Sequence, residues 1–310
     1  MANLHFQVIS DLHLETPIQT TSYTYFSSSS IFPLLAPNLF LLGDIGLVLH
    51  SQPLLSFLRS LLTRSPSLKI FYVMGNHEPH HTTLENAVST LESWEGVLNA
   101  EFGERFYFLN RRKVNINERI TVLGCTLWTK VPDEYAQDVT HSLTDLSENG
   151  IWNRSLADHN ANHKMDLAWL NAQVKSIEEE EPRKEIVILT HHSPTTDPRA
   201  NDPRFPLHRP RNSGFRTDLS GEVCWMSSRV KVWCFGHTHF SCQFVDVEDG
   251  KEGREGRDGR DGREARRKLV VANQKGYAYP EGMGNWQVKP VVVGREKGTW
   301  EVIVGEKKAG

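Results

Sequence analysis

VKVWCFGHTH, residues 230–239, runs an apolar segment into a glycine and then into two histidines one residue apart. Residues two apart in an extended chain point the same way, so His237 and His239 aim two imidazoles at one place. Imidazole is a common ligand of transition metals, which makes a metal site the sharp reading. Taken alone, the stretch reads more simply as a polar turn with two solvated histidines. The rest of the chain decides between the two.

Four other runs end in the same way. LHFQVIS leads to Asp11 and His13, NLFLLGD ends at Asp44, LKIFYVMGN at Asn76, and EIVILTHH at His191 and His192. Each is short and apolar, which predicts strands buried on both faces. Between them lie segments of helical period. PLLSFLRSLL and TLENAVSTLESWEGVL are two, the second capped by Thr82 or Thr83. A longer one, roughly Asp158 to Glu181, places Leu167, Leu170, Val174 and Ile177 at three- and four-residue steps and is ended by Pro182. Alternating strands and helices predict an α/β architecture, with the site outside the carboxyl ends of the strands. RITVLGCTLW reads as a further strand, and SCQFVDV, RKLVVAN and TWEVIVG as the antiparallel finish of a sheet.

The bulk properties are ordinary. The chain has 310 residues, enough for a substantial core, and carries 35 basic against 38 acidic side chains. That balance gives no general attraction to nucleic acid or anionic membranes. No apolar run is long enough to span a bilayer, and the N-terminus lacks the pattern of a secretory signal, so a cytoplasmic protein is expected. Cys125, Cys224, Cys234 and Cys242 form no Cys-x-x-Cys pair and read as buried thiols, with a Cys234–Cys242 disulfide left open. Residues 248–268 repeat Gly-Arg-acid in steps of three and contain no apolar residue except Ala265, which predicts a disordered, charged hairpin loop with no catalytic part.

The ordered set Asp11-x-His13, Gly43-Asp44, Gly75-Asn76-His77-Glu78, His191-His192 and Gly236-His237-x-His239 resembles the calcineurin-like metallophosphoesterase family, from Asp11 to about Gly276. The resemblance implies one domain over residues 1–310, a four-layer sandwich of two mixed β-sheets flanked by helices, and a dinuclear metal site at the strand ends. It implies that one metal takes Asp11, His13 and His239, that the second takes Asn76, His191 and His237, and that Asp44 bridges them. The residue types suit this: a carboxylate can join two cations, and four imidazoles and an amide oxygen leave the pocket positive for a phosphate. Such mixed ligation favours manganese, iron or zinc over magnesium or calcium. His77 is implied to act on the leaving oxygen as the catalytic acid. The implied activity is hydrolysis of a phosphodiester or phosphomonoester by a hydroxide held between the ions, on a small phosphorylated substrate.

Two departures from relatives matter. Many carry an acid three residues after the bridging aspartate, where this chain has Leu47, so His77 lacks that partner. The longer signature of protein Ser/Thr phosphatases is missing from GDIGLV, which speaks against that activity. Non-catalytic relatives, such as one retromer subunit, tend to lose ligands or the histidine, and here all are present. His13 stands where RNA lariat debranching relatives have cysteine; a nuclease of the same fold stays open as an alternative, although no broad basic surface is apparent outside the two arginine-bearing loops. Around the site, His192 is expected to pack or touch substrate, His80 and His81 either reach a phosphoryl group or stand in a solvated loop, and Trp128 either lines the site or is structural. The loop 193–221, with Arg199, Arg204, Arg209, Arg211 and Arg216, is a substrate lid or a solvated basic loop. His159 and His163, one helical turn apart, are expected at the surface.

Overall fold

The computed structural model describes residues 4–16, 21–207, 209–248, 266–277, 288–296 and 298–304. Its strands are β1 (Leu4–Ile9), β2 (Asn38–Leu42), β3 (Lys69–Val73), β4 (Phe106–Phe108), β5 (Arg112–Asn115), β6 (Ile120–Cys125), β7 (Glu185–Thr190), β8 (Val230–Phe235), β9 (Cys242–Glu248), β10 (Arg266–Ala272), β11 (Val291–Glu296) and β12 (Thr299–Val304). The helices are α1 (Thr21–Phe26), α2 (Ser51–Arg64), α3 (Leu84–Phe102), α4 (Ala136–Ser142), α5 (Leu156–Glu180) and α6 (Val223–Met226).

The strands form two mixed sheets. One has the order β12-β11-β1-β2-β3-β4, with β1 to β4 parallel and β11 and β12 antiparallel at one edge. The other has the order β5-β6-β7-β8-β10-β9, with β6, β7, β8 and β10 parallel and an antiparallel strand at each edge. The predicted antiparallel finish is therefore shared: β9 pairs with β10 in one sheet, β11 with β12 in the other.

Period-two alternation sorts the side chains into layers. Phe6, Val8, Phe40, Phe71 and Val73 meet Val122, Val187, Leu189, Val232 and Val271 in a core between the sheets. The opposite face of the first sheet, with Leu39, Leu41, Ile70 and Tyr72, packs under α2 and α3 through Leu58, Leu61, Leu91 and Trp94. On the second sheet, Ile186, Ile188, Trp233 and Phe235 pack under α5 through Leu170, Val174 and Ile177. This is the expected four-layer sandwich. Because each parallel strand has apolar neighbours on both faces, the aspartates, asparagine and histidines singled out in the sequence stand beyond the carboxyl ends.

Local chemistry sets the helix limits. Thr83 caps α3, its hydroxyl accepting from the Asn86 N–H at 3.2 Å. Ser155 caps α5 in a reciprocal box with Asp158, so the helix starts at Leu156, two residues before the expected start near Asp158. The same helix corrects one expectation: His159 and His163 are buried, not at the surface. Residues 266–268 of the expected charged loop belong to β10, and Lys268 is fully buried there; residues 249–265, the rest of that loop beyond Glu248, lie outside the described residues. All four cysteines are buried thiols, and Cys234 and Cys242 are not joined by a disulfide. Among the described residues, no helix is long and apolar enough to cross a membrane.

Candidate metal centre

The turns that follow β1, β2, β3, β7 and β8 bring the seven predicted ligands together. Asp11, His13 and His239 offer atoms within 4.8 Å of one another, and so do Asp44, His191 and His237. Asn76 joins the second group, with Oδ1 at 2.9 Å from His191 Nε2. Asp44 faces both: its Oδ2 lies 3.4 Å from His191 Nε2 and 3.8 Å from His13 Nε2. In each group two ring nitrogens face each other, His13 and His239 at 3.0 Å, His191 and His237 at 3.2 Å. Lone pairs converging in this way are the donor geometry that a cation accepts.

The backbone is bent to make this possible. Asp11, His13, Asp44, His237 and His239 all have φ between 46° and 68°, the left-handed region that side chains other than glycine rarely adopt. Glycines give the room. A Cβ on Gly43, itself at φ 84°, would lie 2.5 Å from His191 Nδ1, and one on Gly75 would lie 2.2 Å from Asp44 Oδ1.

The electrostatics suit cations. Burial pushes Asp11 and Asp44 upward, but His239 and His191 beside them outweigh it, so both carboxyls stand below their usual range. Burial alone would lower His191, yet Asp44 lifts it to about 9. The pocket thus draws positive charge. Burial keeps His13 low and His237 at about 4, neutral with a lone pair to give. Imidazoles, carboxylates and one amide oxygen are a donor set that fits transition-metal ions.

Further residues orient the donors, and the sequence reading assigned them no role. Glu15 Oε1 lies 2.9 Å from His13 Nδ1 and 3.3 Å from His77 Nδ1. It thereby turns His13 Nε2 inward and supplies the partner for His77 that Leu47 cannot. Burial would lower His77, but Asp44 and Glu15 raise it to about 10. Asp145 Oδ1 accepts from Asn76 Nδ2 at 2.8 Å, which fixes the amide with its oxygen toward His191. Glu78 accepts from the N–H groups of Asp44, Ile45 and Gly75 and from the Tyr72 hydroxyl, clamping two strand ends together.

The secondary candidates separate. His80 is buried, bonded to Asp145 at 2.9 Å and packed on His77 with ring centres 4.2 Å apart; His81 is exposed. His192 packs on His237 at 4.1 Å and Trp128 on His192 at 5.3 Å, which makes both walls of the second group. His159 and His163 hold the turn after β6, where Leu127 and Trp128 also have positive φ: His159 Nε2 meets the Thr129 hydroxyl at 2.8 Å and His163 Nδ1 the Leu127 carbonyl at 3.0 Å. The loop 193–221 reaches the site through Phe215, stacked on His237 at 5.0 Å, and the Gly214 carbonyl, 3.3 Å from His237 Nε2. Of its arginines, Arg199 and Arg204 are paired with Asp197 and Asp202. Arg211 and Arg216, with Phe205, Phe215 and Thr238, line a cavity of about 250 Å³.

Comparison with known proteins finds matches at low identity. A solved structure matches with a TM-score of 0.50 at 10% identity, over 98% of this chain and 100% of the other. The NAD nucleotidase of Haemophilus influenzae matches with a TM-score of 0.43 at 9% identity, over 98% of this chain and 49% of that one. The 5'-nucleotidase precursor of Thermus thermophilus gives 0.43 at 12% identity, over 98% and 54%. The chain spans about half the length of these two nucleotidases. No curated protein matches the sequence. The family described as calcineurin-like phosphoesterase matches residues 4–241, and the chain belongs to that family.

Proposed function

We propose that the protein is a metal-dependent phosphohydrolase that cleaves a small phosphoric mono- or diester. One observation carries the reading: two donor groups share the Asp44 carboxylate, and His77 stands beside them with its Nδ1 turned to Glu15. Asp11, His13 and His239 would hold one ion and Asn76, His191 and His237 the other, with Asp44 between. Ions bound there supply positive charge for the phosphoryl oxygens and acidify water. Manganese, iron or zinc suits the donors.

The chain's own residues then do the positioning. Glu15 and Asp145 hold His13 and Asn76 in the tautomer and rotamer that present their donor atoms. His77, held at Nδ1, has Nε2 left to give a proton or hydrogen bond to the leaving oxygen. The cavity between Phe205 and Phe215 is one ring away from His237, and Arg211 and Arg216 would steady the remaining part of the ester there. A non-catalytic role for the same sandwich has no observation in its favour.

The test is hydrolysis of mono- against bis-p-nitrophenyl phosphate across manganese, iron and zinc. Turnover that needs metal and disappears in His237→Ala is expected. Stoichiometric metal binding without turnover of either ester would defeat the reading.

A further inference from the structure

Tyr277 follows β10 and is tied down just before its side chain: the Gly276 N–H donates to the Asp11 carbonyl at 3.0 Å, and Gly276 has φ 74°. Its ring lies against His13 and His239, with centres 4.4 and 4.7 Å away. Its hydroxyl lies 3.0 Å from His77 Nε2. The residue is nonetheless 47% exposed.

His77 has two ring nitrogens and Glu15 engages one of them. Nε2 is the atom left for a leaving oxygen, and the Tyr277 oxygen already stands at hydrogen-bond distance from it. A single N–H points along one line, so two oxygens cannot both take that position with good geometry. Tyr277 and the leaving group are therefore alternatives. Tyr277 is also a phenol, and its ring shows that the space over His13 and His239 accepts one. Nearly half of the residue faces solvent, so the ring has room to turn outward, giving up its contacts with His13, His239 and His77.

We propose that Tyr277 is a tethered occupant of the leaving-group position, and that esters of phenols, the aryl phosphates, are the substrates that replace it like for like. The proposal rests on the phosphohydrolase reading above. In the hydrolysis the bond from phosphorus to the phenolic oxygen breaks and a water oxygen bonds to phosphorus. The departing oxygen takes a proton from His77 Nε2, and the proton lost by the water restores the balance.

The experiment uses the full chain loaded with manganese, as wild type, Tyr277→Phe and Tyr277→Ala. Tyr277→Phe removes the competing hydrogen bond and keeps the ring, so KM for phenyl phosphate should fall about fivefold, the equilibrium weight of one ordinary hydrogen bond. Independently of turnover, p-cresol, which is the tyrosine side chain itself, should bind Tyr277→Ala saturably by calorimetry and wild type far more weakly. It should also inhibit that variant competitively. Equal p-cresol binding by wild type and Tyr277→Ala, or binding by neither, would overturn the proposal. So would a tenfold loss of kcat in Tyr277→Phe at constant KM. Selective p-cresol binding in a protein that hydrolyses no ester would support the occupant while removing the phosphohydrolase reading.

Discussion

Replacing Glu78 by glutamine tests how the two strand ends are fastened. The carboxylate is fully buried. Its Oε1 accepts from the Ile45 N–H at 2.9 Å and the Tyr72 hydroxyl at 2.7 Å, and its Oε2 from the Asp44 N–H at 3.0 Å and the Gly75 N–H at 2.8 Å. Glutamine has one oxygen for these four donors. Its best placement keeps that oxygen on Asp44 and Gly75 and turns the amide NH2 toward Tyr72, whose hydroxyl can rotate to accept. The Ile45 N–H is then left facing another donor, at about 1–3 kcal/mol for an unpaired buried group. The surviving bonds also lose charge assistance, roughly another 1–2 kcal/mol together. Against this, burial and the Asp44 charge raise the Glu78 carboxyl to about 7, so the neutral amide escapes a repulsion that the wild type bears. The net expectation is a loss of about 2–3 kcal/mol. Urea unfolding at pH 8, where Glu78 is ionised, reads it directly, and Tyr72→Phe in the Glu78→Gln background should add less than it does alone. A Glu78→Gln protein within about 0.5 kcal/mol of wild type, a loss below even one lost hydrogen bond, would refute the clamp.

Other expectations can be checked in parallel. Asp44→Asn should weaken both ions and abolish turnover while circular dichroism stays native; two full metal equivalents with activity intact would remove the bridge. Asp145→Ala frees the Asn76 amide to flip and should lower metal affinity about 10–100-fold, measured by competition with a chelator. His77→Ala should keep its metal and lose roughly 10²–10⁴-fold in rate, with the smaller loss on p-nitrophenyl esters, whose leaving group needs little protonation. Lys268 is fully buried, and burial lowers its pKa from 10.5 to about 7. Between those values the unfolded chain binds the extra proton, so wild-type stability should rise with pH across that window, and Lys268→Met should flatten the rise.

The strand ends were legible because their chemistry is local: an apolar run fixes a buried strand, and the polar residue after it has nowhere to go but the rim. The residues that orient the ligands were legible to different degrees. Glu15 lies close in sequence to Asp11 and His13, so its neighbourhood was readable, although its side and its two histidine partners were not, because the left-handed backbone at Asp11 and His13 breaks any period of two. Asp145 and Tyr277 sit outside regular periods, and only the fold brings them to Asn76 and His77. His159 and His163 were misread for another reason. The buried stripe of α5 runs His159, His163, Asp166, Leu170, Val174, Ile177, in steps of three and four, but its first half is polar. Counting apolar residues alone starts that stripe too late. The polar half is buried because it serves the left-handed turn after β6, where Asp166 accepts the Leu127 N–H at 2.8 Å.

That turn and the ligand turns share one physical problem. A residue other than glycine in the left-handed region costs about 1–2 kcal/mol, and five of the seven candidate ligands are there. The sum, roughly 5–10 kcal/mol, is of the order of a whole domain's stability, about 5–15 kcal/mol. It is sustained because neighbouring strands fix each turn: Asp11 N–H donates to the Gly43 carbonyl, His13 N–H to the Asp44 carbonyl, and His237 N–H to the Asp11 carboxylate. These bonds cross from β1 to β2 within one sheet and from β1 to β8 between the two. Aspartate and histidine also tolerate this region better than most side chains. The same residue types therefore satisfy the backbone and provide the donors, which is why the strain collects at the rim where both sheets end and not in the apolar layers beneath it.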